Sequence, residues 1–400
     1  MRLGISMFAG DSGKSGISEY MKRVVSEMLD RDDGPELVLF MSHSDRAHFD
    51  PKNSRATVIS YPDYVSNVLI NILWHLIWLP FALKAQGCSA VFLPAANRRL
   101  GWFYGVPSVG TVHDFSQLHV PAKYDRFRLF YILKVLPFLM RRLSKVVAIS
   151  ESTKRDTIEF AKVNESQVCK IYNGASLRSN SGTSKASAHR LVVERLGLQP
   201  KPYLLYVSRI EHPGKNHVRF LRAYSLLKQK GVLNDYQLIF AGGAWNGSEV
   251  VEQEILLLDL ASDVTLTGFV PDDLLTLLYR GADTFVFPSL FEGFGIPLLE
   301  AMASEAPVCC SNSGSMPEVV GDAAVLFDPS DINSIAQAIS SILLDQTSRQ
   351  NLVVAGTKRS SFFSWKKCAD EVLGVFSAVL DEHGVSARKN DAPLSCEKQR

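Results

Sequence analysis

Six cysteines are scattered through 400 residues, and none belongs to a Cys-x-x-Cys pair. The adjacent Cys309 and Cys310 would point to opposite faces of a strand. This usage excludes a disulfide framework and a cysteine-based zinc site, and it points to free thiols in a reducing compartment. Charge of one sign is also lacking. Lys and Arg number 43 against 41 Asp and Glu, a net +2 that calls for no nucleic-acid partner. No apolar run reaches the ~20 residues of a membrane-spanning helix. The nearest, Val68–Leu83, is interrupted by Asn71, His75 and Pro80 and reads as a buried amphipathic helix. Met1-Arg2 leads directly into the strand-like run Leu3–Phe8, so no secretory leader is expected.

What is present is an alternation of short apolar runs with longer helical patterns. Strands are predicted at Leu3–Phe8, Leu37–Met41, Val91–Leu93, Ser108–Val112 and Val146–Ile149, with helices beginning near Ser18, Asn67 and Arg126. The small, polar stretch Ser179–Ala188 cannot supply a core and reads as a linker. The pattern then restarts, with strands at Tyr203–Val207, Gln237–Ala241, Val264–Thr267, Thr284–Phe287, Val308–Ser311 and Val325–Phe327. Helices include His217–Lys230 and Asp272–Arg280. The fold class is therefore α/β, with two Rossmann-like doubly wound domains. Residues 1–178 form the first domain, completed by a helix over 365–382. Residues 179–188 form the linker and 189–362 the second domain, and a polar tail over 384–400 is expected to be disordered. Ligands of open parallel sheets bind beyond the carboxyl ends of the strands, so the loops following strands carry the chemistry.

One such loop is Pro288–Ala303, after strand Thr284–Phe287. Glu292 and Glu300 are separated by seven residues, Gly293 and Gly295 flank Phe294, and Pro297 sits where a helix would start. Glycines allow close approach of a ligand, and the helix start turns N–H groups and positive dipole toward the loop. That combination suits a diphosphate, with the glutamates accepting hydrogen bonds from hydroxyls. Two glutamates at a strand–loop–helix junction would by themselves read equally as surface residues. Arg209 and Lys215 follow the first strand of the second half and could stabilise a departing diphosphate. His113 ends a strand in the first half, where it faces either ligand or core. Ser150 could orient a sugar or cap the next helix. Asn173-Gly174 reads as a turn.

The first loop, Gly10-Asp-Ser-Gly-Lys-Ser-Gly16, resembles the end of a phosphate-binding P-loop, but Phe8 stands where the first glycine of that motif belongs. A P-loop phosphotransferase is thereby disfavoured. The glycines, with Gly16 at the start of a helix, read as a flexible loop near donor phosphates and acceptor. Asp30-Arg31-Asp32 gives Asp-x-Asp at a helix end before Gly34-Pro35 and reads as an exposed turn. No histidine pair has metal-ligand spacing, so no metal is expected.

The run from Phe287 to Ala303 resembles the E-x7-E segment of the retaining glycosyltransferases of family 4. The resemblance continues through Thr267-Gly-Phe-Val270, Leu274, Tyr279, Ala282, Pro307-Val308, Ser311-Asn312, Pro317–Asp322 and Asp328-Pro329. It implies the GT-B fold, two facing domains with an interdomain cleft, and a nucleotide-diphosphate sugar as donor without a metal cofactor. It also implies Glu292 toward the donor sugar, Glu300 toward the ribose, and Arg209 and Lys215 on the diphosphate. His113 would touch the sugar, and Gly16, Ser150, Val270, Phe294, Gly295 and Ile296 would line the donor. The resemblance of Leu93–Arg99, with the Trp-rich helix, leans toward bacterial mannosyl- or rhamnosyltransferases of surface polysaccharide assembly, acting on a glycan or lipid-linked acceptor. A non-catalytic sugar-nucleotide binding protein is the remaining alternative, set against both glutamates and both cations.

A basic cluster, Lys123, Arg126, Arg128, Lys134, Arg141, Arg142 and Lys145, is opposed by Asp125 alone within Pro121–Lys145. Apolar and aromatic residues lie between. The pattern suits peripheral contact with the inner face of the cytoplasmic membrane, with the Trp74–Trp78 helix alongside, as well as it suits helices packed on a sheet.

Overall fold

A computed structural model describes residues 1–8, 15–120, 129–175 and 182–384. The chain divides into two compact units. The first comprises Met1–Phe115, Tyr124–Gly174 and Ser364–Arg400, and the second Ser116–Lys123 with Ala175–Phe363.

The first unit is built on seven parallel strands: β1 (Arg2–Ser6), β2 (Glu36–Ser42), β3 (Ala56–Tyr61), β4 (Ala90–Leu93), β5 (Ser108–Val112), β6 (Lys145–Ala148) and β7 (Val168–Lys170). Their order is β3-β2-β1-β4-β5-β6-β7. β1 is an inner strand, with Leu3 opposite Leu37 on one side and Ala90 on the other. The inner strands are buried at nearly every position because both faces of a parallel sheet are covered. Helix α1 (Gly16–Asp30) is capped by Ser15 and turns Tyr20, Met21, Val24, Val25, Met28 and Leu29 inward. Helix α2 (Glu151–Glu159) follows β6.

In the second unit, helix α3 (Lys185–Leu196) leads into six parallel strands. These are β8 (Tyr203–Val207), β9 (Gln237–Ala241), β10 (Val264–Leu266), β11 (Thr284–Phe287), β12 (Val308–Ser311) and β13 (Val325–Phe327), ordered β10-β9-β8-β11-β12-β13. Helix α4 (His217–Gln229) follows β8, and α5 (Ile296–Ala303) follows β11. The final helix, α6 (Trp365–Glu382), returns to the first unit, where Phe376 meets Phe92 edge-on at 5.7 Å and Trp365 meets Tyr20 at 6.0 Å.

Three expectations need correction. Val68–Leu83 is helical but not buried: across Val68–Ala85 only 28% of the segment is covered. Nearly every position there is apolar, so periodicity could not reveal which side faces inward. The expected linker over 179–188 is partly helix, since Lys185–Ala188 belong to α3 and Ser184 caps it by accepting from Ser187 N–H. Polar composition concealed a capped helix start. Finally, β3 and β7 were not expected. The helix start near Arg126, the tail beyond Gly384 and most of the Gly10–Gly16 loop lie outside the described residues.

Candidate active site

The second sheet reverses its strand order between β8 and β11. The loops that follow these two strands lie where ligands of open parallel sheets bind. Residues 208–216 and 288–295 occupy those two loops, and several bonds stitch them together. Leu290 N–H donates to Gly214 O at 2.9 Å. The amide of Asn216, buried and left-handed at φ 60°, donates to Pro288 O at 3.0 Å and Pro329 O at 2.8 Å. The buried hydroxyl of Tyr206 donates to Lys215 O at 2.9 Å and lies 3.0 Å from Ser289 Oγ. Ser315 Oγ donates to Glu292 O at 3.0 Å.

This stitching fixes a pair. Lys215 Nζ lies 2.6 Å from Glu292 Oε1, and both side chains are largely shielded, at 18% and 17% exposure. Arg209 stands on the same loop as Lys215, its guanidinium 4.8 Å from the Trp245 ring and 3.4 Å from Glu211 Oε2. A guanidinium over an aromatic face keeps its donors in its own plane, where those not bonded to Glu211 can meet an anion.

Helix α5 begins at Ile296, one residue before the expected Pro297. Its cap is Gly295 at φ 93°, which has no side chain to close the helix end. The positive end of α5 thus opens on the loop that carries Glu292. Glu300, one turn further on, accepts from Tyr279 Oη at 3.0 Å, which orients the carboxylate. The ring of Phe294 is buried and meets Phe363 edge-on at 5.8 Å, so that side chain packs the core. Val270, also buried, follows Gly268, whose carbonyl accepts from Gly242 N–H at 2.9 Å. Gly242 admits no side chain, because a Cβ would stand 1.9 Å from Ser208 O. The ends of β8, β9 and β10 are thereby drawn to one edge.

In the first unit, His113 is buried beyond β5 and its Nε2 donates to Pro94 O at 2.6 Å, which makes Nδ1 the acceptor nitrogen. Burial lowers its pKa to about 4, so the ring is neutral. Ser150 accepts from Thr153 N–H at 3.0 Å and donates to Thr153 Oγ1 at 2.9 Å, so its hydroxyl serves as the cap of α2. Gly16 opens α1, exposed, with no protein atom within 4 Å of where a Cβ would stand.

The structure thus brings Arg209, Lys215, Glu292, Gly295, Ile296 and Glu300 to one sheet edge, while His113, Ser150 and Gly16 belong to the other unit. Sequence reasoning missed Tyr206, Asn216, Trp245 and Ser315. Only Asn216 left a trace, as a residue tolerant of the left-handed region directly before a helix. Among the described residues, no group of three or more His, Cys, Asp or Glu could hold a metal ion. Two cations and an uncapped helix end beside two carboxylates make a site for a phosphate-bearing, hydroxyl-rich ligand.

Comparison with known proteins leads to the same chemistry. Residues 14–178 match the model described as Glycosyltransferase Family 4, and residues 193–359 that of Glycosyl transferases group 1. O-antigen chain mannosyltransferase B of Escherichia coli is 31% identical over 270 residues, 67% of this chain and 70% of its own. The serotype-specific mannosyltransferase WbdA of Escherichia coli is 31% identical over 311 residues, 76% of this chain but only 36% of that longer protein. Among solved structures, sucrose-phosphate synthase of Thermosynechococcus elongatus superposes with TM-score 0.75 at 20% identity, covering 96% of this chain and all (100%) of that one. Anabaena HepE in complex with UDP and glucose superposes with TM-score 0.72 at 19% identity, covering 94% and 100%. Built of two parallel-sheet α/β units with the GT-B fold of these structures, the chain belongs to glycosyltransferase family 4 and is a hexosyltransferase.

Proposed function

We propose that the chain transfers a mannose-like hexose, with retention of anomeric configuration, from a nucleoside-diphosphate sugar to a growing surface polysaccharide or its lipid-linked precursor. The observation that carries this reading is the Lys215–Glu292 pair beside the uncapped start of α5. The names of the mannosyltransferase relatives support the sugar, and the UDP complex of HepE supports the donor class. A rhamnose-like sugar is the other hexose the sequence allows.

In this reading the second unit holds the donor, and the first recognises the acceptor. The diphosphate lies against Arg209, Lys215 and the N–H groups around Ile296. As it arrives, a phosphate oxygen replaces the Glu292 carboxylate on Lys215, and Glu292 turns to the sugar hydroxyls. Glu300 accepts from the ribose. The bond from the anomeric carbon to the diphosphate breaks, and the two cations with the helix dipole stabilise the charge that develops on the leaving oxygen. The acceptor oxygen bonds to the anomeric carbon on the face just vacated, and its proton passes to the departing phosphate. No step uses a metal, and the enzyme works on the cytoplasmic side, where nucleotide sugars are made.

The test is transfer from nucleoside-diphosphate mannose to a mannosylated lipid-linked acceptor, with the new linkage read by NMR. The α-anomeric donor should give an α-linkage together with free nucleoside diphosphate. A β-linkage, or transfer from no nucleotide sugar, would overturn the reading.

A further inference from the structure

The helical segment Val68–Ala85 is apolar on its outward face as well as its inward one. Its inward residues are Asn71, Trp74, His75, Leu79 and Leu83. The two polar ones are fixed in place. Asn71 Nδ2 donates to Val65 O at 2.9 Å, while the His75 ring lies 2.8 Å from both Ser6 Oγ and Asn71 O. The outward residues are Leu69, Ile70, Leu73, Ile77, Trp78 and Phe81, with Leu69 73% and Phe81 70% exposed. A helix on the surface of a water-bathed domain carries polar residues on its outward face instead.

The apolar face extends beyond this helix. Gly101 lies against it so closely that a Cβ would stand 2.5 Å from His75 O, and the next two residues, Trp102 and Phe103, are exposed. Trp102 meets Phe138 at 5.1 Å, and Arg142 lies over both rings, 3.8 and 4.9 Å from their centres. Phe130 is exposed in the same unit. One exposed leucine needs no explanation, whereas a contiguous set of this size marks an interaction surface.

Charge identifies the partner. The chain has 41 acidic residues, yet none falls between Tyr64 and His113 or between Leu129 and Ser150. Those stretches carry Lys84, Arg98, Arg99, Lys134, Arg141, Arg142 and Lys145. Of these, Lys84, Lys134, Arg141 and Arg142 are exposed.

We propose that this face of the first unit docks on the surface of an anionic lipid bilayer. Trp78 and Trp102 enter at headgroup level, where amphipathic rings are favoured, the wholly apolar Phe81 and Phe103 insert beside them, and the cations meet lipid phosphates. The helix lies in the plane of the interface. By length and hydropathy (18 residues, mean 1.6) it matches a spanning segment, but Trp74, Leu79 and Leu83 are part of the unit's core and hold it there. Lys123, Arg126 and Arg128 of the basic cluster lie outside the described residues. Docking also does not depend on the sugar site, so either reading can fail without the other.

The test is co-sedimentation of the full chain with vesicles of phosphatidylcholine alone or mixed with phosphatidylglycerol, at low and high salt. Binding should require the anionic lipid and weaken as salt screens it. The double variant Trp78→Ser/Phe81→Ser, altered only at exposed positions, should keep its thermal midpoint and lose at least tenfold in vesicle affinity. Lys134→Ala and Arg142→Ala should each lose about fivefold, on anionic vesicles only. Brominated lipid should quench tryptophan fluorescence in the wild-type protein. Equal binding to neutral vesicles, indifference to Trp78→Ser/Phe81→Ser, or self-association through this face without vesicle binding would each overturn the proposal.

Discussion

Lys215 and Glu292 are 77 residues apart in the chain and 2.6 Å apart in space. Each stands on one of the two loops that follow the strands at the reversal of the second sheet. Neither loop holds its charge alone, since Tyr206 and Asn216 fix the lysine's backbone while Ser315 fixes the glutamate's.

Removing either partner should therefore be costly for turnover. Lys215→Ala and Glu292→Ala are each expected to lower the transfer rate by about a hundredfold or more, the scale for loss of one stabilising group. The double variant should be far less than multiplicatively impaired, because the pair acts as a unit. Steady-state kinetics of the three variants checks this. Near-normal turnover in either single variant would remove that residue from the site.

Asn216 should matter for stability as well as for geometry. Asn216→Ala loses two buried bonds and places a Cβ-bearing residue without a local polar partner in the left-handed region. A loss of about 2–4 kcal/mol is expected from urea unfolding. Asn216→Gly should recover part of it by relieving the backbone strain. If both variants unfold at the wild-type denaturant concentration, the stitching of the two loops has been misjudged.

Much of this site was legible in the sequence because it lies at strand ends. Thr284–Phe287 and Ser108–Val112 are short strand-like runs followed by Pro288-Ser289 and by His113-Asp114, and such breaks mark where loops begin. The glutamate spacing and the Gly295–Pro297 signal did the rest. β3 and β7 escaped because they are edge strands. Ala56–Tyr61 is only half-buried and Val168–Lys170 has three residues, so neither carries a strong apolar pattern. Ser150 was undecidable from sequence, since a cap and a sugar contact need the same hydroxyl at the same strand end. Tyr206 looked like core, which it is, and its second task needs a coordinate to be seen.

Acid should destabilise the protein before it titrates its carboxylates. His75, His113 and His217 are buried, and desolvation lowers their pKa values to about 4, about 4 and about 3. The unfolded chain takes up these protons near the ordinary value of about 6.5, so stability is full above that value and falls as pH drops toward 4. For His75 and His113 the effect is roughly 3 kcal/mol each. Denaturant midpoints measured at about pH 7 and about pH 4.5 should differ in that direction. A flat profile across this window would contradict it.

Turnover is expected to be unchanged in excess EDTA, because Arg209, Lys215 and the start of α5 already place positive charge where the leaving diphosphate needs it. A strict requirement for manganese or magnesium during chemistry would show that these groups do not suffice.

The central claim is that the loops after β8 and β11 bind the diphosphate of a sugar nucleotide. Calorimetric titration of UDP, GDP and their sugar conjugates into the wild-type protein and into Lys215→Ala tests it most directly. At least one nucleotide should bind the wild type, with affinity lowered about tenfold or more in the variant, the scale of one charge-assisted hydrogen bond. Equal affinity in both proteins would place the diphosphate elsewhere and contradict the account.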